Sequence, residues 1–469
     1  MDALATMKTP SAVITSPDAI QTAAESLIYG RPVEAHGLQP ALYNRAIAQL
    51  VYDLENLDTV YPHPSVEHLV RCIRFIGISN KFYTGQNAEK TRLEDLYSYD
   101  GIFFEDPYEK IKVEGAVQDA RVEVLFVEKA CVYGVLELKN ESGLHGDPFL
   151  QAMVSYAKAN QDKKVSTRCI YRPNVSPHSN TQDLLKRTHL PAILIGLAGN
   201  VLTIGVAIFT DTVYVDTLLT MNLLLGHFPD QKILHFARVA SAVATAKAGL
   251  RQYYANLPDH LDFTKQPFFP DPTPIEGVLP TLRYTGKFDR YTGQVQDALD
   301  EKLRSSAVFT AELADSGQKV VVKFTPTYCP EAHNLLADNK LAPKLHLCTK
   351  LKGGLWMVVM DRVEGDRVLE MIERDVRPKE IYVQAMKAVD LLHQKDLVFG
   401  DLRLGNMLYT TDGLLQLVDL DMAGKDGITR YPATLNRQDL WPRSMVRGGP
   451  LLKEHDLEWL TILKNLIEA

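Results

Sequence analysis

Between Val398 and Asp421 the sequence reads V-F-G-D-L-R-L-G-N-M-L-Y-T-T-D-G-L-L-Q-L-V-D-L-D. An acid, Asp401, is followed by an amide, Asn406, and a second acid, Asp419, ends the returning apolar run. These residue types at this spacing suit phosphoryl transfer from ATP. That reaction needs one carboxylate for the proton of the incoming hydroxyl and an oxygen pair for Mg²⁺. Arg403 can place positive charge on the transferring group. Asp412-Gly413 signals the tight turn of a hairpin between Asn406 and Asp419. Acids and amides at hairpin ends are often only turn formers. Here their order, downstream of a lysine-bearing strand and a helix, favours the chemical reading.

Those upstream elements are legible. Residues 303–324 predict a strand, a turn at Asp315-Ser316-Gly317 and a second strand carrying Lys323. A lysine near the end of a buried strand needs a partner, and Glu331 on the next helical segment is the expected one. Residues 355–365 form an apolar strand running into a polar turn, where backbone groups near Asp361 and Val363 could bond adenine. Residues 378–393 carry Ile381, Ala385, Val389 and Leu392 at helical spacing.

This half resembles the eukaryotic protein kinase-like fold. More narrowly, V-F-G-D-L-R-L-G-N and L-V-D-L-D-M-A-G-K-D-G-I-T-R-Y-P are similar to fungal kinases with H-G-D-L-R-x-x-N and D-F-D-W-A-G motifs, a type that occurs in crinkler-type effectors. The resemblance covers about residues 281–469. It implies a bilobal α+β domain in which Lys323 meets the α/β-phosphates, Glu331 pairs with it, Asp401 is the base, and Asn406 and Asp419 hold Mg²⁺. Three departures stand out. Phe399 replaces the usual histidine, Arg304-Ser305-Ser306 stands where a glycine-rich loop is expected, and the segment from Asp421 to Tyr431 is short. The helix beginning near His455-Asp456 is expected to buttress the catalytic loop, within a reduced C-lobe. The implied activity is ATP- and Mg²⁺-dependent transfer to a protein Ser/Thr hydroxyl or to the chain itself. A nucleotide-sensing pseudokinase and a small-molecule kinase of aminoglycoside-phosphotransferase type are the alternatives.

A second set of chemical residues lies in the N-terminal half. Residues 131–139, C-V-Y-G-V-L-E-L-K, form a strand ending in Glu137 and Lys139, and Asp147-Pro148 opens a helix carrying Gln151 and Tyr156. An acid pair can hold Mg²⁺ or Mn²⁺ while a lysine orients the attacking water. Charged residues also commonly finish a buried strand with no such role. The pattern resembles the PD-(D/E)xK restriction-endonuclease-like superfamily, an α/β mixed-sheet fold. This implies Asp100, Glu137, Lys139 and Gln151 as its site, with Asp106 and Glu123 as rivals to Asp100. Lys158, Lys163, Lys164, Arg168 and Arg172 accompany a single acid, Asp162, across 158–172, so DNA or RNA contact is a possible partner reading.

The chain has 469 residues, more than one ordinary domain requires. A net charge of −7 excludes a globally basic nucleic-acid binder. Five scattered cysteines without C-x-x-C argue against a zinc ribbon or a disulfide framework and for an intracellular, cytoplasmic or nuclear setting. No secretory signal pattern is visible at the N-terminus. The apolar run 191–209 is interrupted by Gly199-Asn200 and reads as two strands rather than a membrane span. Six prolines between 258 and 280 mark a linker. The expected organisation is an N-terminal extension (1–40), a nuclease-like module (41–257), the linker (258–280) and a kinase-like domain (281–469). A long helical stretch is expected from Leu219 to Asn256, broken near Gly226 to Asp230.

Overall fold

The computed structural model describes residues 27–30, 37–84, 88–98, 103, 124–128, 131–140, 147–161, 188–210, 212–257, 269–288, 295–296, 307–435 and 441–468. The described residues divide into two compact units, with the break between Thr273 and Pro274. Asp100, Asp106, Glu123, Arg304-Ser305-Ser306 and most of the 158–172 basic run lie outside the described residues.

The first unit is built on a mixed six-stranded sheet. Its strands are β1 (Leu27–Ile28), β2 (Val124–Glu128), β3 (Cys131–Lys139), β4 (Ala192–Ala198), β5 (Val201–Phe209) and β6 (Val213–Asn222), in the order β1-β6-β5-β4-β3-β2. Strands β3 and β4 are parallel, so the chain between them must cross over. Helix α5 (Pro148–Gln161) lies in that crossover; before it in the chain stand α1 (Arg45–Glu55), α2 (Leu57–Val60), α3 (Val66–Ser79) and α4 (Ala88–Ser98).

The Asp147 carboxylate caps α5, accepting from the Phe149 and Leu150 N–H groups at 2.8 and 3.2 Å. A glycine lets this helix start sit on the sheet. A Cβ at Gly196 would come within 2.7 Å of the Phe149 backbone. The apolar run that resembled a membrane span is the β4–β5 hairpin, turning at Gly199 with a φ of 53°. No helix among the described residues is long and apolar enough to cross a membrane.

Helix α6 (Pro229–Ala255) packs against α1 and α3, with Phe236 stacked on Phe75. The helix begins at Pro229. Leu219–Asn222, expected to be helical, instead extends β6 and pairs with Val201 to Ile204. Residues 213–222 alternate Val, Tyr, Thr and Leu in a way that suits a strand with one buried face, and the Pro229 ring suits the first helical turn.

The second unit opens with a six-stranded sheet in the order β11-β12-β10-β9-β7-β8. These strands are β7 (Leu282–Phe288), β8 (Val295–Gln296), β9 (Val308–Leu313), β10 (Lys319–Thr325), β11 (Leu345–Lys350) and β12 (Trp356–Asp361). Every pairing in it is antiparallel. The β9–β10 turn places Gly317 at a φ of 69°, as the Asp-Ser-Gly sequence predicted.

Helix α7 (Pro330–Asp338) follows β10. A short strand β13 (Gly365–Arg367) leads into α8 (Val368–Glu373) and then α9 (Lys379–His393). The chain then passes through β14 (Leu397–Val398), a 3₁₀ turn at Leu404–Asn406, the hairpin β15 (Met407–Thr410) and β16 (Leu415–Leu417), β17 (Gly424–Lys425) and α10 (Lys453–Glu468). Ile381, Ala385, Val389 and Leu392 of α9 all point into one apolar core shared with Leu397, Phe399, Met407, Leu417 and Trp459. The unit is mixed α+β, compatible with the expected kinase-like fold.

Candidate active site

Strand pleating decides what Lys323 can reach. On β10, Val320, Val322 and Phe324 are buried on one face, so Val321, Lys323 and Thr325 share the other. The Lys323 Nζ pairs with Asp419 Oδ1 and lies 2.7 Å from Asp421 Oδ2. Burial alone would favour the neutral amine, but the two carboxylates overcome it and hold the ammonium above its usual range. Burial likewise opposes ionisation of Asp419, and Lys323 reverses that, leaving its carboxyl below the ordinary range. Asp421 is pushed up to about 6, by burial first and by the adjacent Asp419 charge.

The expected pair between Lys323 and Glu331 is not made. Glu331 is exposed in the first turn of α7, where the helix dipole favours an acid without any partner. The buried polar side chain of that helix is His333. Its Nε2 donates to the Pro343 carbonyl at 2.8 Å and its Nδ1 accepts from the Tyr328 hydroxyl at 2.6 Å.

Asp401 lies in the loop after β14, buried. Asn406 Nδ2 donates to both its carbonyl and its Oδ2, each at 2.9 Å. Arg403 reaches the same Oδ2 at 3.1 Å. The other oxygen, Oδ1, is buried with no hydrogen-bond partner among the described residues. Burial pushes the Asp401 carboxyl up to about 7, and Arg403 only partly offsets it. Asp419 raises it further and Lys323 lowers it.

A buried carboxylate fixes this loop from below. Asp456, near the start of α10, accepts from the N–H groups of Phe399 and Gly400 at 2.8 and 2.9 Å and from His393 Nε2 at 3.1 Å. Gly400 has a φ of 78°, and a Cβ there would meet Leu451 at 2.6 Å. Tyr431 adds a bond from its hydroxyl to the Gly400 carbonyl at 3.3 Å. Phe399, where a histidine was expected, is wholly buried in the apolar core.

At the end of β12, the Asp361 N–H is taken by the Lys344 carbonyl at 2.9 Å. Its carboxylate accepts from His346 and Gln318 at 2.6 and 2.5 Å. Asp361 is therefore held by protein through both its N–H and its carboxylate. Val363 is half-buried just beyond the strand.

The oxygens present suit a hard cation. With its amide nitrogen committed to Asp401, Asn406 has Oδ1 left to act as a ligand. Asp421 Oδ1 is buried without a hydrogen-bond partner among the described residues. No group of three or more His, Cys, Asp or Glu side chains among the described residues is arranged as a metal cage.

Sequence reading missed Asp421 as a member of this cluster. The D-L-D pattern was its signal. With Leu420 buried between them, both flanking acids turn to the same side.

In the first unit, Glu137 is buried and accepts from Ser155 Oγ at 2.7 Å. Gln151 lies one turn earlier on the same face of α5 and is also buried. Lys139 lies two residues beyond Glu137 on β3, half-buried. Tyr156 is committed elsewhere, its hydroxyl donating to the Leu190 carbonyl at 2.6 Å. Arg92, which the sequence did not flag, is wholly buried and donates to the carbonyls of Lys139 at 2.5 Å and Asn140 at 3.2 Å, and to Gly199. It closes the strand end that carries Lys139.

A scan against protein-family models finds no match. Among curated proteins, the chain is similar to "Serine/threonine-protein kinase 1" of Heliothis zea nuclear polyhedrosis virus, 26% identical over 159 residues, covering 29% of this chain and 59% of the relative. It is also similar to "Serine/threonine-protein kinases PknA" of Corynebacterium glutamicum, 31% identical over 71 residues, covering 14% of this chain and 15% of that protein. A third relative, "Serine/threonine-protein kinases drp72" of Corynebacterium efficiens, is 31% identical over 71 residues, covering 14% of each. The chain thus spans from about a seventh to three fifths of the length of these relatives. The likeness supports a kinase-like domain with transferase chemistry.

Proposed function

We propose that the second unit is an ATP- and Mg²⁺-dependent phosphotransferase acting on a Ser/Thr hydroxyl of a protein or of this chain. The observation that carries this reading is the convergence of Lys323, Asp401, Asn406 and Asp419. Asn406 bonds Asp401, Lys323 bonds Asp419, and Asp419 and Lys323 lie close enough to act on the Asp401 carboxyl.

In this reading Asp401 Oδ1 receives the hydroxyl proton. The hydroxyl oxygen bonds to the γ-phosphorus as the bridging P–O bond breaks, and ADP carries away that electron pair. Arg403 contributes positive charge beside the acceptor oxygen. Lys323 meets the α/β-phosphates, and Asn406 Oδ1 and Asp419 would hold Mg²⁺, which neutralises the phosphate oxygens when bound. The Asp361 carbonyl and Val363 backbone would face adenine. Transfer from γ-labelled ATP, compared between the native chain and Asp401→Ala, tests this. Equal label from both would remove Asp401 from the mechanism.

For the first unit, the reading as a metal-dependent nuclease rests on Glu137, Lys139 and Gln151 lying on one β–α edge, with Glu137 fixed by Ser155. Glu137, with Asp100, would hold Mg²⁺ or Mn²⁺. Cleavage of DNA or RNA that requires the metal and is lost in Lys139→Ala is the expected result. Cleavage that survives the substitution would place any activity elsewhere.

A further inference from the structure

Lys323 has two carboxylate partners where one would neutralise it. The two are not equivalent. Asp419 makes one contact to β10, through Lys323. Asp421 makes two, its Oδ2 lying 2.7 Å from Lys323 and accepting from Thr325 Oγ1 at 2.9 Å, and its carbonyl accepts from Thr327 Oγ1, just past the strand, at 2.9 Å. Thr325 sits two residues beyond Lys323 on the same face of the strand, so the lysine and the threonine grip one carboxylate together.

We infer that Asp421 is the positioning residue for Lys323, filling the role that an acid on helix α7 was expected to play. The inference rests on the phosphotransferase reading. A site that uses Asp419 for Mg²⁺ must take that carboxylate away from Lys323. A lysine left without an anion in a half-buried place would lose its orientation toward the phosphates. Asp421, tied to β10 by Thr325 and to the segment just after it by Thr327, is the carboxylate that stays. It also weakens Lys323's hold on Asp419, because one ammonium is shared between two anions. The lysine's geometry is therefore set by the D-L-D turn and does not depend on where α7 stands.

The test is steady-state transfer from γ-labelled ATP by the full chain, together with titration of a fluorescent ATP analogue in Mg²⁺. Asp421→Asn keeps the shape and removes the charge. It should raise the KM for Mg·ATP about ten- to a hundredfold, the scale of a charged hydrogen bond, with a smaller change in kcat. Asp421→Glu should recover part of the loss. Thr325→Val, which leaves all charges in place, should raise KM severalfold and guards against a folding artefact in the first variant. Glu331→Ala should stay within about twofold of the native chain. Native affinity in Asp421→Asn, or a tenfold loss in Glu331→Ala, would overturn the inference. Asp401→Ala separates this result from the parent reading, because it should abolish transfer while leaving analogue binding intact. A native chain that binds no nucleotide at all would overturn both.

Discussion

Asn406 gives both of its amide hydrogens to Asp401, one to the main-chain carbonyl and one to the carboxylate, each at 2.9 Å. The two residues form one rigid piece at the start of the β15–β16 hairpin. That geometry orients Asp401 Oδ1 away from Asn406 and turns the Asn406 oxygen outward. Asn406→Ala should therefore damage two functions at once. Transfer should fall on the order of a hundredfold, and the Mg²⁺ concentration for half-maximal rate should rise. Asn406→Asp should restore the metal requirement more than the rate, since it adds an oxygen ligand while placing a second charge against Asp401. A magnesium titration of each variant checks this. An unchanged magnesium midpoint in Asn406→Ala would remove the residue from metal binding.

Asp401 gives a pH prediction with a definite sign. Burial raises its carboxyl from 3.8 to about 7, so between those values the folded chain holds a proton that the unfolded chain has released. Stability then falls as pH rises across that window. Each unit of such a shift corresponds to about 1.4 kcal/mol. Asp401→Asn should therefore melt higher than the native chain at pH 8, with the gain shrinking towards pH 5, while transfer is lost. In the native chain, transfer should rise with pH through about 7 as the base becomes ionised. Melting curves and rates at matched pH values check both halves.

Much of this arrangement was readable in the chain. The Asp412-Gly413 turn, the β9–β10 hairpin, the α9 stripe and the β4–β5 hairpin each carry a local pattern, either a turn residue with positive φ or an apolar period. The helix beginning near His455-Asp456 was expected as a buttress from the kinase-like resemblance, and Asp456 is its residue that bonds the loop. The partner of Lys323 was not legible. Which acid meets that ammonium is decided by how the Asp419–Asp421 turn comes against β10, a tertiary fact without a local signature. Leu219–Asn222 misled for a related reason. Its Leu219 and Met221 join the apolar run that continues to Leu225, until pairing with β5 claims them for the sheet. Arg92 escaped notice because an arginine in an amphipathic helix usually signals solvent, and here it signals four neighbouring carbonyls.

Asp456 should behave as a structural residue with a catalytic consequence. Its carboxylate is fully buried and satisfies the Phe399 and Gly400 N–H groups together with His393. Removing it leaves two buried donors unsatisfied beside a histidine that has lost its anion. Asp456→Ala should destabilise the second unit by about 3–5 kcal/mol, and Asp456→Asn by less, since one acceptor oxygen survives. Urea unfolding followed by Trp441 and Trp459 fluorescence measures this, because those rings meet edge to face at 5.9 Å within the same unit. Asp456→Ala unfolding at the native midpoint would show that the loop is held by other means.

Arg92 offers the corresponding test in the first unit. Its guanidinium is fully buried and donates to carbonyls at the ends of α3, β3 and the β4–β5 turn: Ser79, Lys139, Asn140 and Gly199. Those carbonyls sit where the strand carrying Glu137 and Lys139 stops, so the arginine fixes the direction in which Lys139 leaves the sheet. Arg92→Met keeps most of the volume and deletes the donors, so the four carbonyls lose the guanidinium and only that of Lys139 keeps the Gly199 N–H. The first unit should lose about 2–4 kcal/mol, and amide exchange should accelerate at Gly199, whose N–H bonds the Lys139 carbonyl at 2.9 Å. Lys139→Ala should leave that amide protected, because the bond uses only the main chain. Equal exchange at Gly199 in the Arg92→Met and native chains would mean that the β3–β4 end holds its shape without the guanidinium, and that Lys139 is positioned by the sheet alone.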